Sequence, residues 1–421
     1  MCVYVLLRAF RWNLFLRLQD YRVAKIYNEF LCYVTRVKKI DEWLFYPCEI
    51  QIEHTNRCNA RCIMCGHYNV DKSKCTDIDD EVFYKLEKFL PFCKYVGLHG
   101  YGEPFLVKRL KEYFEIYKKY GVKVYTNTNL SYIPDDILPY ISELFDEINI
   151  SFDSPKKETY ESIRKNLSFE TVVNNIKKIK RYCPKVKLNL FAVVMRQNMD
   201  EMEELVEFAA EMGFSAITLS EMIALPENEN YVDTPGCYPI VFSNNLVKAL
   251  KKATCLGIDI HLPTEAILTE ETVDENNERK ILEKIKSETA DESPSETEFN
   301  ENLLFSRKII TEKDISGVTY SCKGICDVFF SQMYCSLDGK LALCCVDGFH
   351  YLCDVSSIDS IEEYWKTKEV MLVRKAFKKG TLPSVCNNCN FIALNQLKWL
   401  KVSDRKKYID CINRKGVADV F

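Results

Sequence analysis

Along the middle of the chain, short β-rich runs alternate with stretches in which hydrophobic residues have helical spacing. Short β-rich runs occupy Glu49–Glu53, Tyr95–His99, Val122–Thr126, Glu147–Phe152, Lys187–Val194 and Ala216–Ser220. Helical spacing of apolar residues fills the gaps near 79–90, 107–120, 134–144, 170–181 and 200–212. This repeated alternation predicts an α/β fold with a parallel sheet and crossover helices. Six such units favour a partial (β/α)6 barrel over residues 47–263, closed by a helix near 243–256 and a strand at Ile258–Leu262.

The N-terminal segment, residues 1–46, shows a different pattern. Apolar residues recur at helical spacing with arginines among them: Leu6, Phe10, Leu14, Leu18 and Tyr21, beside Arg8, Arg11, Arg17 and Arg22. An amphipathic helix is therefore predicted. No uncharged run approaches the ~18 residues that a transmembrane helix needs. We expect this helix to pack on the outside of the barrel, and peripheral membrane contact is the alternative.

Three further segments follow the barrel. Residues 264–316 form an acidic, flexible linker or insertion, since residues 264–302 hold 13 Asp and Glu against four Lys and Arg. Residues 317–400 are predicted to be a small cysteine-rich unit, with a hairpin at Met333–Leu341 turning on an Asp-Gly pair and a helix at Ile361–Phe377. Residues 401–421 are a tail without an assigned role.

Composition narrows the functional classes. The net charge of −4 over 421 residues gives no bulk electrostatic reason to bind nucleic acid. The chain has 20 cysteines, and no secretory signal pattern follows its first residues. A long cysteine-rich chain of this kind is expected to be cytoplasmic with reduced thiols. Its cysteines are then metal ligands or small buried hydrophobic residues.

A compact cysteine motif follows the first predicted strand. Cys58, Cys62 and Cys65 have C-x3-C-x2-C spacing, and three thiolates on one loop can hold three irons of a four-iron cluster. The fourth iron then has no protein ligand in this stretch, and an open position lets a metal centre bind a small molecule. Three buried thiols, or a zinc site completed by His54 or His67, are the alternatives.

The motif and the ends of the next strands together resemble the radical S-adenosylmethionine (radical SAM) enzymes over roughly residues 48–262. The resemblance implies SAM contacts at the ends of successive strands, from Gly100, Gly102, Glu103, Asn127, Ser151, Asp153 and Arg196. Glu103 would take the methionyl amino group. The chain departs from the family pattern at Met64, where an aromatic residue is common, and at Tyr101, which separates the two glycines. The second departure is expected to loosen the grip on the amino group.

A second set of cysteines resembles the SPASM/twitch extension of radical SAM enzymes over about residues 320–395. Four have family-like spacing: Cys326, Cys344, Cys386 and Cys389. The resemblance implies one auxiliary four-iron cluster with all sites filled by cysteine. A structural zinc site is the alternative, and Cys322, Cys345 and Cys353 are spare thiols or ligands of a further cluster.

The resemblance implies a radical SAM oxidoreductase that cleaves SAM to a 5′-deoxyadenosyl radical with electrons from flavodoxin or ferredoxin. The radical would take a hydrogen atom from a small-molecule substrate, and oxidation or epimerisation of a polyhydroxylated metabolite (a sugar or aminocyclitol) is the first expectation. Peptide maturation by crosslinking or side-chain oxidation is the second, and a non-catalytic iron–sulfur or zinc protein the third. Cys237 and Cys335 are candidate thiol hydrogen donors, whereas His54 and His99 are expected to be structural.

Overall fold

The structure is a computed structural model of the chain. It describes residues 21–38, 45–222, 233, 235, 239–261, 308–309, 332–342 and 350–372. The predicted linker, the tail and the part of the N-terminal segment before Tyr21 lie outside these residues.

Two sheets form the centre of the described structure. In chain order the strands are β1 (Glu49–Ile52), β2 (Arg61–Cys62), β3 (Tyr95–Gly97), β4 (Lys123–Tyr125), β5 (Asn127–Thr128), β6 (Glu147–Ser151), β7 (Arg164–Lys165), β8 (Lys187–Val194), β9 (Ala216–Glu221), β10 (Asp259–His261), β11 (Lys308–Ile309), β12 (Gln332–Cys335), β13 (Lys340–Ala342), β14 (His350–Tyr351) and β15 (Cys353–Asp354). The sheet orders are β15-β13-β12-β1-β3-β4 and β10-β9-β8-β6-β5. The five-stranded sheet is parallel throughout, and the six-stranded sheet is parallel except where β13 pairs antiparallel with β12 and β15. Only Thr126 separates β4 from β5, so the barrel strands follow one another in space as they do in sequence.

The helices cover the outer face of these sheets. They are α1 (Tyr21–Lys38), α2 (Asp80–Leu86), α3 (Leu110–Lys119), α4 (Leu138–Leu144), α5 (Lys157–Ile163), α6 (Phe169–Tyr182), α7 (Met202–Glu211), α8 (Pro239–Leu256) and α9 (Ile361–Lys366). The predicted α/β class with parallel strands is confirmed. The helix predicted near 79–90 continues beyond α2 as a 3-10 helix around Pro91, since proline has no backbone N–H to donate.

The two faces of the strands differ in polarity, and this difference shows which face can form a polar site. Residues that face the helices are apolar and buried, as Ile50, Val96 and Ile150 illustrate. The opposite face carries polar side chains that bond across strands. Asn149 donates to Asn127 Oδ1 over 2.9 Å, and the same inner face continues with further amides and carboxylates. The interior of the strand arc is therefore a polar surface.

The predicted hairpin in the cysteine-rich segment is present, and it extends the barrel sheet. β12 pairs with β1 in parallel, with Gln51 opposite Tyr334 and Ile52 opposite Cys335. Gly339 takes the positive φ of 81° that the turn requires. The prediction of a single helix over Ile361–Phe377 is wrong near Thr367. Helix α9 ends just before this residue, because its ψ of 147° interrupts the helix.

Helix α1 packs against the end of the barrel opposite the cysteine loop. The Asn28 side chain donates to the carbonyls of Tyr46 and Phe92 over 3.0 and 3.2 Å. Ile26, Phe30 and Tyr33 stay exposed on its outer side. The described part of the N-terminal segment thus lies on the barrel, whereas Leu6, Phe10, Leu14 and Leu18, on which the prediction of the helix rested, lie outside the described residues. No helix in the described part of the chain is long and apolar enough to cross a membrane.

Candidate functional site

The three predicted cluster cysteines lie together beyond the carboxyl end of β1, and each sulfur faces a nitrogen donor. The backbone N–H of His67 donates to Cys65 Sγ over 3.4 Å. Arg164 Nη1 lies 3.6 Å from Cys62 Sγ, and Asn129 Nδ2 lies 3.9 Å from Cys58 Sγ. Donors aimed at sulfur suit thiolates that carry charge in a metal-bound state. The donor set therefore fits a cluster with three cysteine ligands.

Burial keeps these thiols protonated when no metal is bound. It raises the pKa of Cys58 to about 12 and that of Cys62 to about 11, and it also raises the pKa of Cys65. Arg164 opposes the rise at Cys62 through its positive charge. Metal binding by these thiols must therefore release protons.

An ion pair fixes the start of the cysteine loop. Arg57 donates from Nε and Nη2 to the two oxygens of Asp77, over 2.9 and 2.7 Å. Thr55 Oγ1 also donates to Asp77 over 2.7 Å, and Arg57 Nη2 donates to the carbonyl of Leu106 as well. A planar guanidinium held by both oxygens of one carboxylate and by a carbonyl orients the loop more tightly than a surface ion pair would.

Glu103 lies at the centre of the predicted SAM-binding edge. Its side chain is buried, and Oε1 accepts from Thr128 Oγ1 over 2.5 Å and from the Phe105 backbone over 3.3 Å. Oε2 accepts from the Asn129 backbone over 2.8 Å. A carboxylate offers about four acceptor positions, so Oε2 keeps room for one more donor. Burial raises the pKa of Glu103 to about 7, although these bonds favour the ionised form.

The glycines beside Glu103 allow the chain to approach β1 closely. A Cβ on Gly102 would lie 2.2 Å from the carbonyl oxygen of Thr55, and one on Gly100 would lie 2.6 Å from Glu53 Cγ. The Tyr101 backbone donates to Glu53 Oε1 over 2.9 Å while its ring stays exposed. The loop is therefore fastened to Glu53 despite the tyrosine between its glycines, and the expected looser grip on the amino group stays a prediction.

Glu53 also links this loop to the added hairpin. Its Oε2 accepts from Tyr334 Oη and from the Leu337 backbone, each over 3.3 Å. The Glu53 backbone donates to the carbonyl of Cys335 over 2.9 Å. Segments nearly 300 residues apart thus meet at one carboxylate. The sequence offered little sign of this role, because only the register of β12 on β1 brings Tyr334 to Glu53.

Asp153, a predicted SAM contact, is occupied by protein donors in the structure. Its Oδ1 accepts from the Val193 backbone over 2.8 Å and from Arg164 Nη2 over 3.0 Å. Its Oδ2 forms an ion pair with Arg164 Nε at 2.6 Å. Asn198 donates to the carbonyl of Asp153. The geometry thus favours a supporting role for Asp153.

The other predicted SAM contacts differ in placement. Asn127 and Ser151 lie on the polar inner face at the ends of β5 and β6, and Asn127 accepts from Asn149. The Arg196 side chain is exposed, and its backbone donates to the carbonyl of Asp233. Asn129 was missed as a site residue, although it contacts both the Glu103 carboxylate and Cys58; its place in the Thr-Asn-Thr-Asn run was the available signal.

The histidines that could complete a zinc site have other partners. His54 is buried between the Ile52 carbonyl at 2.8 Å and Tyr117 Oη at 2.6 Å, and burial lowers its pKa to about 4. His67 Nε2 lies 2.6 Å from the Asn56 carbonyl. Within the described ranges no three His, Cys, Asp or Glu side chains converge as they would around a single bound ion.

The candidate thiol donors and auxiliary ligands are only partly described. Cys335 is buried in the apolar layer on the same face as Met333 and Ile52, away from the polar interior. Cys353 is buried in the same layer. The remaining residues of these predictions lie outside the described part: Cys237, Cys322, Cys326, Cys344, Cys345, Cys386 and Cys389.

Comparison with known proteins identifies the barrel. Residues 52–209 match the family model of the radical SAM superfamily. This part of the chain is similar to radical SAM domains. Radical SAM enzymes use SAM and a 4Fe–4S cluster, in agreement with the cofactors predicted for Cys58, Cys62 and Cys65.

Two curated relatives illustrate the range of activities in this superfamily. The chain is 28% identical over 239 residues to a tungsten-containing aldehyde ferredoxin oxidoreductase cofactor-modifying protein of Pyrococcus furiosus, covering 53% of this chain and 65% of that one. It is 29% identical over 188 residues to a probable GTP 3′,8-cyclase of Thermococcus kodakarensis, covering 44% and 59%. The chain thus spans less than two thirds of each relative.

A solved structure shows the same fold over most of the chain. Native anSMEcpe with bound AdoMet superposes with a TM-score of 0.51 at 18% identity, covering 89% of this chain and 99% of that one. At this identity the likeness concerns the fold alone.

Proposed function

We propose that this chain cleaves SAM reductively at a 4Fe–4S cluster held by Cys58, Cys62 and Cys65, and that it removes a hydrogen atom from a small polar molecule. The observation that carries the proposal is the meeting of the cysteine loop, the Gly102–Glu103 loop and the Asn129 turn at one edge of the part that is similar to radical SAM domains. The Asn129 side chain contacts Cys58, and its backbone donates to the Glu103 carboxylate. The cysteine loop and the carboxylate proposed to bind the amino group are therefore linked through one residue.

Each protein group has a definable task in this proposal. A cluster held by these cysteines would supply one electron to the SAM sulfonium, and breakage of its S–C5′ bond would give methionine and a 5′-deoxyadenosyl radical. Glu103 accepts from the methionyl amino group at the free position on Oε2, while Asn127 and Ser151 face the nucleoside from the neighbouring strands. The buried strand arc keeps water from the radical.

The polar inner face favours a small polar substrate. Gln332 donates to Glu49 over 2.9 Å and to Tyr125 Oη over 3.1 Å, so the added strand continues this face. His99 contributes an imidazole that burial keeps neutral, with its pKa lowered to about 4. The names of the two curated relatives point to a cofactor and a nucleotide. They give no support to the narrower expectation of a sugar or aminocyclitol, so we propose the broader class.

The proposal extends to the redox partners. A flavodoxin or ferredoxin would supply the electron in a cytoplasmic setting, and an auxiliary 4Fe–4S cluster on Cys326, Cys344, Cys386 and Cys389 would take part in electron transfer. A cluster with four cysteine ligands has no open iron for substrate, which leaves electron acceptance or a structural role.

The central claim is tested with the wild-type chain. We expect anaerobic reconstitution to give a 4Fe–4S signal in electron paramagnetic resonance (EPR) spectra, and dithionite plus SAM to give 5′-deoxyadenosine. Formation should require both iron and reductant. A reconstituted protein that shows the cluster signal but forms no 5′-deoxyadenosine above a protein-free control would contradict the proposal.

Glu103 provides a test of the amino-group contact through pH. Because the pKa of Glu103 is about 7 in the free protein, its ionised form, which accepts hydrogen bonds best, disappears as pH falls below 7. We expect Glu103→Gln to weaken SAM binding by about 10- to 100-fold at pH 8, the range for hydrogen bonds to charged groups. The wild-type advantage should shrink towards one near pH 6. Calorimetric titration of reconstituted protein with SAM at several pH values measures this ratio.

The matched control for this prediction is Glu201→Gln. Glu201 is also buried, and it accepts from Ser154 Oγ over 2.5 Å and from Thr159 Oγ1 over 2.8 Å at the start of α7. Its substitution changes the same chemical group without touching the proposed site. The contact would be refuted if Glu103→Gln bound SAM as tightly as wild type at pH 8. It would also be refuted if the ratio of the two SAM affinities did not depend on pH.

Two cysteines outside the described residues, Cys386 and Cys389, allow a test that distinguishes oxidation of the substrate from redox-neutral chemistry. Oxidising a substrate radical to a carbonyl requires an electron acceptor, whereas quenching by a thiol does not. We expect Cys386→Ala with Cys389→Ala to keep 5′-deoxyadenosine formation but lose oxidised product, measured by chromatography after a folding check. Normal product formation without the second cluster would refute electron acceptance and favour epimerisation.

A further inference from the structure

Arg164 is a buried cation beside a predicted cluster ligand, and neither the sequence pattern nor the proposed function gives it a task. It lies on β7, which pairs antiparallel with β2 so that Arg164 stands directly opposite Cys62. The Ile63 backbone also donates to the carbonyl of Ile163 over 3.0 Å. This two-stranded ribbon brings a side chain from the far side of α5 onto the cysteine loop.

The guanidinium is oriented by one carboxylate and aimed at one sulfur. Nε and Nη2 face Asp153 at 2.6 and 3.0 Å, which leaves Nη1 pointing at Cys62 Sγ from 3.6 Å. Asp153 is in turn fixed by the backbone of Val193. The side chains of Arg164 and Asp153 are 8% and 0% exposed, so little water screens the charge.

We propose that Arg164 is a positioning residue that raises the reduction potential of the cluster by donating to Cys62. The inference rests on the proposed function. A reduced cluster carries one more negative charge than an oxidised one. A fixed N–H donor with positive charge at a ligand sulfur therefore stabilises the reduced form more. Asp153 aims the donor and partly offsets its charge, so the two residues act on the potential in opposite directions.

The test is a potentiometric titration of the SAM-site cluster, followed by EPR, with iron counted in each sample. We expect Arg164→Lys to lower the ratio of reduced to oxidised cluster about tenfold at a fixed potential, a shift of about 59 mV for one electron. Lysine keeps a charge but cannot hold Asp153 with two nitrogens and reach the sulfur with a third. Asp153→Asn should shift the midpoint in the positive direction.

Arg109→Lys is the matched control. Arg109 also pairs with carboxylates, Asp80 and Glu112, at the exposed start of α3, and its donors go to these groups rather than to sulfur. Its substitution should leave the midpoint potential unchanged. If Arg164 had a purely structural role, Arg164→Lys and Asp153→Asn would both loosen the site. The midpoint potentials of these two variants would then shift in the same direction.

The outcomes separate this inference from the proposed function. Opposite shifts with wild-type iron content support it, and equal or absent shifts overturn it while the proposed function stands. If Arg164→Lys does not take up iron, the Asp153→Asn midpoint decides alone, since a positive shift supports the inference and an unchanged one overturns it. Wild-type protein that binds no iron contradicts the proposed function itself.

Discussion

Replacing Cys58, Cys62 and Cys65 together by alanine is expected to abolish 5′-deoxyadenosine formation completely. In the proposed function these three thiols are all the protein ligands of this cluster, so their removal leaves the cluster without its proposed ligands. Cys75, another described thiol, lies 3.7 Å from His67 Nε2 and is not one of the assigned ligands. Reconstituted protein should lose about four irons per chain, the content of one cluster. Iron analysis and chromatography of the reaction with SAM and dithionite measure both effects.

The control for the triple variant is Cys255→Ala. Cys255 is exposed on α8, remote in sequence and fold from the cysteine loop, and its loss should change neither iron content nor turnover. The triple variant removes three sulfur atoms from the loop, and circular dichroism should confirm that the fold persists. Continued formation of 5′-deoxyadenosine in folded triple variant would remove the central claim.

Periodicity predicted the alternating strands and helices because these elements obey local rules. Apolar residues on one face of each strand and crossover helices between strands are visible in sequence, and the six predicted β-rich runs each contain an observed strand. Short elements that depend on tertiary pairing were not predicted. The ribbon of β2 with β7 has two residues on each side, and two-residue strands carry no period.

The site was predicted where a motif is contiguous and missed where residues meet across the fold. Cys58, Cys62, Cys65 and Glu103 stand in short local patterns at strand ends, and the structure brings them to one edge. Arg164 and Tyr334 reach the site only through pairing with distant strands. Asp153 was expected to contact the cofactor, which stays a prediction, and the structure adds its ion pair with the buried Arg164, which a sequence motif does not reveal.

Gly102→Ala is expected to lower SAM cleavage by about 100-fold or more. The added Cβ would lie 2.2 Å from the Thr55 carbonyl oxygen and 2.7 Å from its carbonyl carbon, where neither partner is a flexible side-chain end. The two backbones must separate by on the order of 1 Å, and a displacement of that size at a positioning loop costs about 10²-fold in rate. The separation also lengthens the bond that the Glu103 backbone donates to the carbonyl of Arg57, which is 2.8 Å in the structure, and so disturbs the position of Glu103.

Tyr101→Ala serves as the matched control for this substitution. It alters the same loop one residue earlier, at a side chain that is 43% exposed, and it keeps the backbone bond to Glu53. Melting temperature and iron content show whether each variant folds and holds its cluster, and 5′-deoxyadenosine formation measures the effect on cleavage. A folded, iron-loaded Gly102→Ala protein with wild-type turnover would show that the close approach of this loop to β1 is not needed for cleavage. Loss of turnover in Gly102→Ala with retention in Tyr101→Ala would instead locate the requirement in backbone spacing, because only the first variant forces the loop away from Thr55.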